Sequence, residues 1–137
     1  MNAREFLEQY KEAVRMVDNL QDEYDEQQQQ IDRIRSSLGG DGLPRSGGIR
    51  KEVEERAVDL AEKAGEILLA ETYALEVRQN VERVVRKIPG IHGEVIRKRY
   101  IDLLRWHEVA DALSYSVDHC YTLHRKALEI TEKIINP

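Results

Sequence analysis

The sequence predicts an all-α protein in which two long helices precede a group of shorter ones. Apolar residues recur at alternating steps of three and four through the first part of the chain, which is typical of helices that pair along one face. Charged residues make up 34% of the chain, and abundant Glu, Gln, Lys and Arg favour helix. Glycine and proline concentrate at 36–48 and 89–93, which divides the chain into segments 1–38, 50–88 and 91–137.

The first segment carries a heptad stripe. Its members are Ala3, Phe6, Tyr10, Ala13, Val17, Leu20, Tyr24, Gln27, Ile31, Ile34 and Leu38. Only Gln27 is neither apolar nor aromatic, and the pattern lasts about five heptads, which predicts a coiled-coil helix.

The second segment has a looser stripe and follows a glycine-rich break. Residues 36–48, "SSLGGDGLPRSGG", hold five of the eight glycines, which predicts a flexible connector at 36–49. The stripe consists of Val53, Ala57, Leu60, Ala64, Ile67, Ala74, Val81, Val85 and Ile88, with Leu68 and Leu75 at its edge. Both helices would be roughly 55 Å long at 1.5 Å per residue. We therefore predict a long antiparallel helical hairpin (coiled coil) over 1–88, although pairing through a homodimer satisfies the same stripes.

The last segment changes to short helical pieces. Val109, Ala110 and Leu113 have the spacing of a short helix, "SYS" interrupts it, and Ser116 is suited to cap the next helix. A helix at 117–135 then buries Cys120, Leu123 and Ala127. This arrangement predicts a C-terminal helix-turn-helix module at 89–137, in which the second helix of the pair enters the major groove of double-stranded DNA.

The motif within "VIRKRYIDLLRWHEVADALSYSVDHCYTLHRKALEI" resembles sigma factor region 4. The matching residues are Arg99, Tyr100, Trp106, Glu108, Val109, Ala110, Leu113, Ser116, Cys120, Leu123, Ala127 and Leu128. The chain is also similar to small phage and prophage late transcription regulators of the ArpU and RinA type, several of which begin with "MNA-x-E-F-L-x-Q-Y-K". The resemblance implies regulation of late phage genes in the cytoplasm of a bacterial host, with contact to RNA polymerase.

Three features of the sequence depart from this family pattern. The loop at Leu103, Leu104 and Arg105 lacks the usual glycine and the N-capping threonine. Ser114 replaces the usual turn glycine, which predicts a strained or altered turn. Asp118 stands where relatives often carry Arg or Lys.

The predicted DNA-binding residues lie on the outward arc of the helix at 117–135 and just before the two helices of the pair. They are Arg105, Trp106, Ser116, Val117, Asp118, His119, Tyr121, Thr122, Arg125 and Lys126. Arg125 and Lys126 suit phosphate or guanine, and an acidic side chain at Asp118 suits cytosine N4. Asp118 also has a simpler interpretation, as a negative charge that favours the start of a helix. Trp106 is expected to pack on the core of the module.

Charge is distributed unevenly along the chain. The net charge is −5, yet residues 86–126 hold eight basic and five acidic side chains, whereas residues 1–85 hold 12 basic and 19 acidic ones. The C-terminal part is therefore the expected contact surface for a phosphate backbone.

Other chemistry has weak support in the sequence. Cys120 and His124 are one helical turn apart, but a zinc site needs further ligands, so we expect a buried thiol beside a surface histidine. The connector lacks the Lys-Ser/Thr ending of a P-loop, and neither a nucleophile motif nor a membrane span is evident. We expect no catalytic residue, no cofactor and no metal.

Two alternatives to a regulator stay open. A phage small terminase subunit for DNA packaging also joins a helix-turn-helix to oligomerising helices, and it predicts a ring of many subunits. A protein-interaction adaptor that contacts RNA polymerase without binding DNA agrees with the acidic total and with Asp118.

Overall fold

The computed structural model describes residues 1–37 and 47–137, and every regular element in these ranges is a helix, as predicted. The elements are α1 (Ala3–Ser37), α2 (Gly47–Val85), α3 (Gly90–Ile96), a π-helical turn (Arg97–Ile101), α4 (Trp106–Leu113) and α5 (Val117–Ile135). The predicted connector lies mostly outside the described residues, and its two described ends belong to α1 and α2. None of the described helices carries an apolar stretch long enough to cross a membrane.

The chain forms two compact units, and the first of them is Arg15–Thr72. Its core consists of Ile31, Val53 and Leu60, against which Tyr24 and Ile34 pack. Burial of such side chains is the main stabilising contribution here.

Two polar contacts in the same unit join α1 to α2, and they lie seven residues apart on each helix. Lys63 Nζ lies 2.7 Å from Glu23 Oε2, and Arg56 Nη1 donates to Gln30 Oε1 at 2.7 Å. Later residues of α1 therefore meet earlier residues of α2. The hydrogen bond to Glu23 is the main cause that raises the pKa of the Lys63 ammonium group.

The buried stripe of α2 differs in part from the predicted one. Ala57 and Ala64 are exposed, whereas Ala70 and Val77 are buried. Val53, Leu60, Ile67, Ala74, Val81, Val85 and Ile88 are buried as predicted. The seven-residue step was therefore correct, but the second buried position follows Ile67 and Ala74 by three residues instead of four, whereas Val85 follows Val81 by four as predicted. Small alanines fit a core or a surface equally well, so the sequence did not decide between these positions.

The second unit comprises Met1–Val14 and Tyr73–Pro137. The start of α1 is tied to the end of α5, because the backbone N–H of Ala3 donates to Glu132 Oε2 at 2.7 Å and Asn136 Nδ2 donates to the Met1 carbonyl oxygen at 3.3 Å. Leu7 is fully buried although the predicted stripe passed through its neighbour Phe6. The N-terminal residues thus pack into the same unit as the C-terminal helices.

A tight junction connects α2 to α3 in this unit. Gly90 has φ +61°, a left-handed conformation that glycine adopts without strain. Gly93 is buried, and a Cβ at this position would overlap the backbone carbonyl of Ile88. The glycines of "PGIHG" are therefore required by the backbone path that lets α3 pack against α5.

Candidate nucleic-acid interface

Helices α4 and α5 share a small core. Val109 and Ala110 of α4 and Cys120 of α5 are buried together. Leu104, Trp106, Leu113 and Val117 pack against this cluster while partly exposed. The small side chain of Ala110 lets α4 and α5 approach closely.

The turn between the two helices has the strain and the cap that the sequence predicted. Ser114 takes a left-handed conformation, with φ 58° and ψ 40°, where a non-glycine residue is uncommon. Ser116 Oγ accepts a hydrogen bond from the His119 backbone N–H at 3.1 Å. This N-cap starts α5 at Val117, and the helix ends at Ile135, the predicted bounds.

The start of α4 is held without a side-chain N-cap. Arg105 occupies the cap position, and a guanidinium has no acceptor atom with which to bind the first-turn N–H groups. Instead Glu108 Oε1 accepts from the Arg105 backbone N–H at 3.1 Å. Leu103, in the loop where the family pattern places a glycine, has φ 57°, a strained conformation for a bulky side chain.

Most of the predicted contact residues lie on the solvent-exposed side of this helix pair. The exposed members are Arg105, Ser116, Asp118, His119, Tyr121, Thr122, Arg125 and Lys126. Val117 instead is half-buried against the core cluster, so its predicted place on the outward arc was wrong. Val117 lies one helical turn before Cys120, so the helical spacing itself places it at the edge of the buried face.

The two cations on the outward side of α5, Arg125 and Lys126, make long contacts within their own helix. Arg125 Nη2 lies 3.4 Å from Thr122 Oγ1, and Lys126 Nζ lies 3.4 Å from Glu129 Oε2 in an exposed pair. Exposed ion pairs of this kind contribute little. Both cations can therefore exchange their present contacts for a phosphate at small cost.

The excess of basic over acidic residues in 86–126 is not concentrated on the outward arc of α5. Arg97 Nη1 forms an ion pair with Glu82 Oε1 at 2.7 Å, which is the main cause that lowers the pKa of that carboxyl. The Arg99 guanidinium lies 5.0 Å from the centre of the Trp106 ring. On α4 and α5 the exposed carboxylates of Asp111 and Asp118 accompany the exposed cations.

Trp106 belongs to an aromatic cluster, in agreement with the expected packing role. Its ring lies edge-on to Tyr121 at 5.1 Å and to His124 at 4.7 Å between centroids. Such arrangements are favourable for aromatic pairs. Contact between Trp106 and DNA stays a prediction.

His124 is buried, so the expectation of a surface histidine was wrong. Only 6% of the residue is exposed, and its Nε2 lies 2.7 Å from the Tyr100 hydroxyl. Burial, and then the Arg4 and Arg99 guanidinium groups, lowers the pKa of His124 to about 4. The ring is accordingly neutral at neutral pH. Its hydrogen-bond partner, Tyr100, lies 24 residues earlier in the sequence, so no local sequence pattern could have predicted this pair.

Cys120 is a buried free thiol, as predicted. Burial raises the pKa of Cys120, which disfavours the reactive thiolate. Within residues 1–37 and 47–137, no three His, Cys, Asp or Glu side chains gather in a geometry that would hold a metal ion. Comparison of the chain with protein-family models, curated proteins and solved structures finds no significant match.

Proposed function

We propose that the protein is a sequence-specific DNA-binding transcription regulator that reads the major groove with α5 (Val117–Ile135). The observation that carries this proposal is the pairing of α4 and α5 over one shared core, with a row of exposed polar side chains on α5 directed away from it. A short helix, a tight turn and a longer, polar-faced helix are the parts of a helix-turn-helix.

Every exposed side chain of this surface except His119 has a chemical role in the proposal. Arg125 and Lys126 contact phosphates or guanine, and Thr122 and Tyr121 reach phosphates or thymine methyl groups. Arg105 and Ser116 stand at the starts of α4 and α5, where backbone N–H groups also favour phosphate. Asp118 either accepts from cytosine N4 or only stabilises the first turn of α5.

In this proposal the long helices pair within the chain and also provide the surface for a homodimer. The contacts of Glu23 with Lys63 and of Gln30 with Arg56 support an antiparallel coiled-coil hairpin within Arg15–Thr72. Val58, Leu68 and Leu69 of α2 remain exposed. An apolar face of this kind supports a homodimer through the long helices, and two-fold dimers are the usual form in which a helix-turn-helix reads two half-sites.

The likeness to ArpU- and RinA-type proteins supplies the biological setting. It supports a role at late phage promoters in a bacterial cytoplasm, together with RNA polymerase. We propose this role on the residues of the "RWHEVADALSYS" motif and on the N-terminal "MNAREFLEQYK".

DNA binding is tested with the full chain. Duplexes are selected from a random-sequence pool, and fluorescence anisotropy then compares a selected duplex with a scrambled one over a salt series. We expect the selected duplex to bind at least about 1,000-fold more tightly, with affinity falling steeply as salt rises.

A matched pair of variants assigns the binding to α5. Arg125→Ala with Lys126→Ala is expected to lose most of the affinity. Arg50→Ala with Lys51→Ala, which removes an adjacent exposed pair from α2, should retain it. Failure of the selection to enrich any sequence, or equal behaviour of the two double variants, would contradict the proposal.

A second candidate is an adaptor that binds RNA polymerase without DNA. The exposed carboxylates of Glu108, Asp111 and Asp118 beside the proposed reading surface favour it, because anions repel a phosphate backbone. Co-sedimentation with purified RNA polymerase, combined with a failed duplex selection, would support the adaptor over the regulator.

A further inference from the structure

A pocket of about 210 Å³ lies within the unit formed by residues 1–14 and 73–137. One wall comes from the first turns of α1, where Arg4, Glu8 and Lys11 follow one another along one helix face. The opposite wall comes from the π-helical turn, the loop before α4, and α5. The pocket is thus built from segments at both ends of the sequence.

The charges that line the pocket are predominantly positive. Arg4, Lys11 and Arg99 are the cations, and Glu8 is the carboxylate among the lining residues. Arg99 is held in place, because its Nη1 donates to the Leu104 carbonyl oxygen at 2.9 Å and its guanidinium lies over Trp106. A guanidinium has five N–H donors, so most of them remain for another acceptor.

Apart from Leu103, the remaining lining is aromatic. Tyr100 and His124 are buried and hydrogen-bonded to each other, and Trp106 lies edge-on to His124 and to Tyr121. The rings fix one another, so this wall presents preformed aromatic surface beside the cations. Aromatic walls with a few convergent polar groups are the usual composition of small-molecule sites.

The size of the pocket limits the ligand. An apolar cavity of ~150 Å³ accepts benzene, so this pocket has room for one six-membered ring and one carboxylate. Drug-sized ligands and dinucleotides occupy larger sites, of roughly 300 Å³ or more.

We propose that this pocket binds a small aromatic monocarboxylate of about the size of benzoate. The ring packs against Trp106 and the Tyr100–His124 pair, and the carboxylate accepts hydrogen bonds from Arg4 and Arg99. Arg4 and Arg99 also help to lower the pKa of His124, second to its burial, which agrees with a positive potential at this wall. The site does not depend on the proposed DNA binding, since no lining group needs DNA to complete it.

The protein carries its own reporter for this site. Trp106 is the only tryptophan in the chain and lines the pocket, so its fluorescence under selective excitation follows occupancy. Benzoate is titrated against the full chain, with benzamide as the neutral isostere, cyclohexanecarboxylate as the non-aromatic acid and inorganic phosphate as the simple anion.

We expect benzoate to change the fluorescence saturably and to bind at least about tenfold more tightly than benzamide, which lacks the charge of the carboxylate and so loses a charge-assisted hydrogen bond. It should also bind about tenfold more tightly than cyclohexanecarboxylate and phosphate, which keep a negative charge but lack the aromatic ring. Equal binding of benzamide would overturn the charge recognition. Equal binding of cyclohexanecarboxylate or of phosphate would overturn the aromatic assignment. Absence of a saturable change would overturn the site itself.

Variants locate the binding. Arg99→Gln is expected to weaken benzoate binding about tenfold, and Arg4→Gln about three- to tenfold. Arg4 is exposed, so its variant tests the site even if Arg99→Gln fails to fold. Lys133→Gln removes an exposed cation of α5 that does not line the pocket and should leave binding unchanged. If Arg4→Gln also binds benzoate as the unaltered protein does, the assigned site is wrong.

Discussion

The Tyr100 hydroxyl and His124 Nε2 are 2.7 Å apart in the interior of the protein. Their rings are stacked, with centroids 5.7 Å apart. Tyr100 belongs to the π-helical turn and His124 to α5, so this hydrogen bond connects the segment before α4 with the proposed reading helix. Burial raises the pKa of Tyr100 and lowers that of His124, and both side chains therefore stay neutral near pH 7.

The neutral state of His124 predicts acid sensitivity. Its pKa is about 4 in the folded protein against an ordinary value of 6.5. Between these two pH values the unfolded chain binds more protons, so the free energy of unfolding decreases as the pH falls from about 6.5 towards 4. The total loss from this group is at most about 3 kcal/mol. Urea denaturation at a series of pH values measures it.

The control for the acid sensitivity is His124→Gln, which keeps a hydrogen-bonding side chain without this titration. The difference in unfolding free energy between the unaltered protein and the variant is expected to shrink on acidification, because the other titrating groups are common to both. A difference that stays constant over this pH range would show that His124 is not held neutral by the fold.

Gly93 should tolerate no side chain. Gly93→Ala places a methyl group against the Ile88 carbonyl, and we expect a loss of at least about 1 to 3 kcal/mol of unfolding free energy. Gly65→Ala is the matched control, because Gly65 lies inside α2 with nothing within 4 Å of its added Cβ. That variant should gain about 0.5 to 1 kcal/mol. Equal urea midpoints for the two variants would refute the close-contact argument.

Substitution of Asp118 distinguishes two roles for its carboxylate, a contact with cytosine and a favourable charge at the start of α5. We expect Asp118→Ala to tighten binding to selected and scrambled duplexes to a similar degree, because it removes a repulsive charge from the phosphate backbone. The loss of a favourable helix-start charge should also cost about 0.3 to 1 kcal/mol of stability. Fluorescence anisotropy with a series of duplexes in which each base pair is varied in turn tests this expectation. A relaxed preference at one base pair would instead assign Asp118 a contact with cytosine.

The exposed leucines of α2 predict self-association. Leu68 and Leu69 are 64% and 73% exposed, a state that large apolar side chains seldom occupy side by side without a partner. Light scattering after size exclusion is expected to give a dimer, and Leu68→Lys with Leu69→Lys a monomer. Met16→Lys, at an exposed apolar position of α1, should leave the dimer intact. A ring of many subunits would favour the small terminase alternative.

Local physical chemistry determined much of the C-terminal helix pair from the sequence alone. The bounds of α5, the Ser116 cap and the strained turn at Ser114 follow from interactions among neighbouring residues, and the apolar spacing of α5 predicts that Cys120 faces inward. The seven-residue spacing of the buried positions on α2 is likewise a property of one helix.

Contacts between distant residues were decided by the tertiary structure. Only packing brought Arg4 to the same pocket as Arg99 and paired Tyr100 with His124. Only packing left Ala57 and Ala64 in solvent. A periodic pattern reports which helix face is buried, but it does not report what lies opposite. The partner across the interface determines whether a histidine is neutral or charged, and whether an alanine is part of the core.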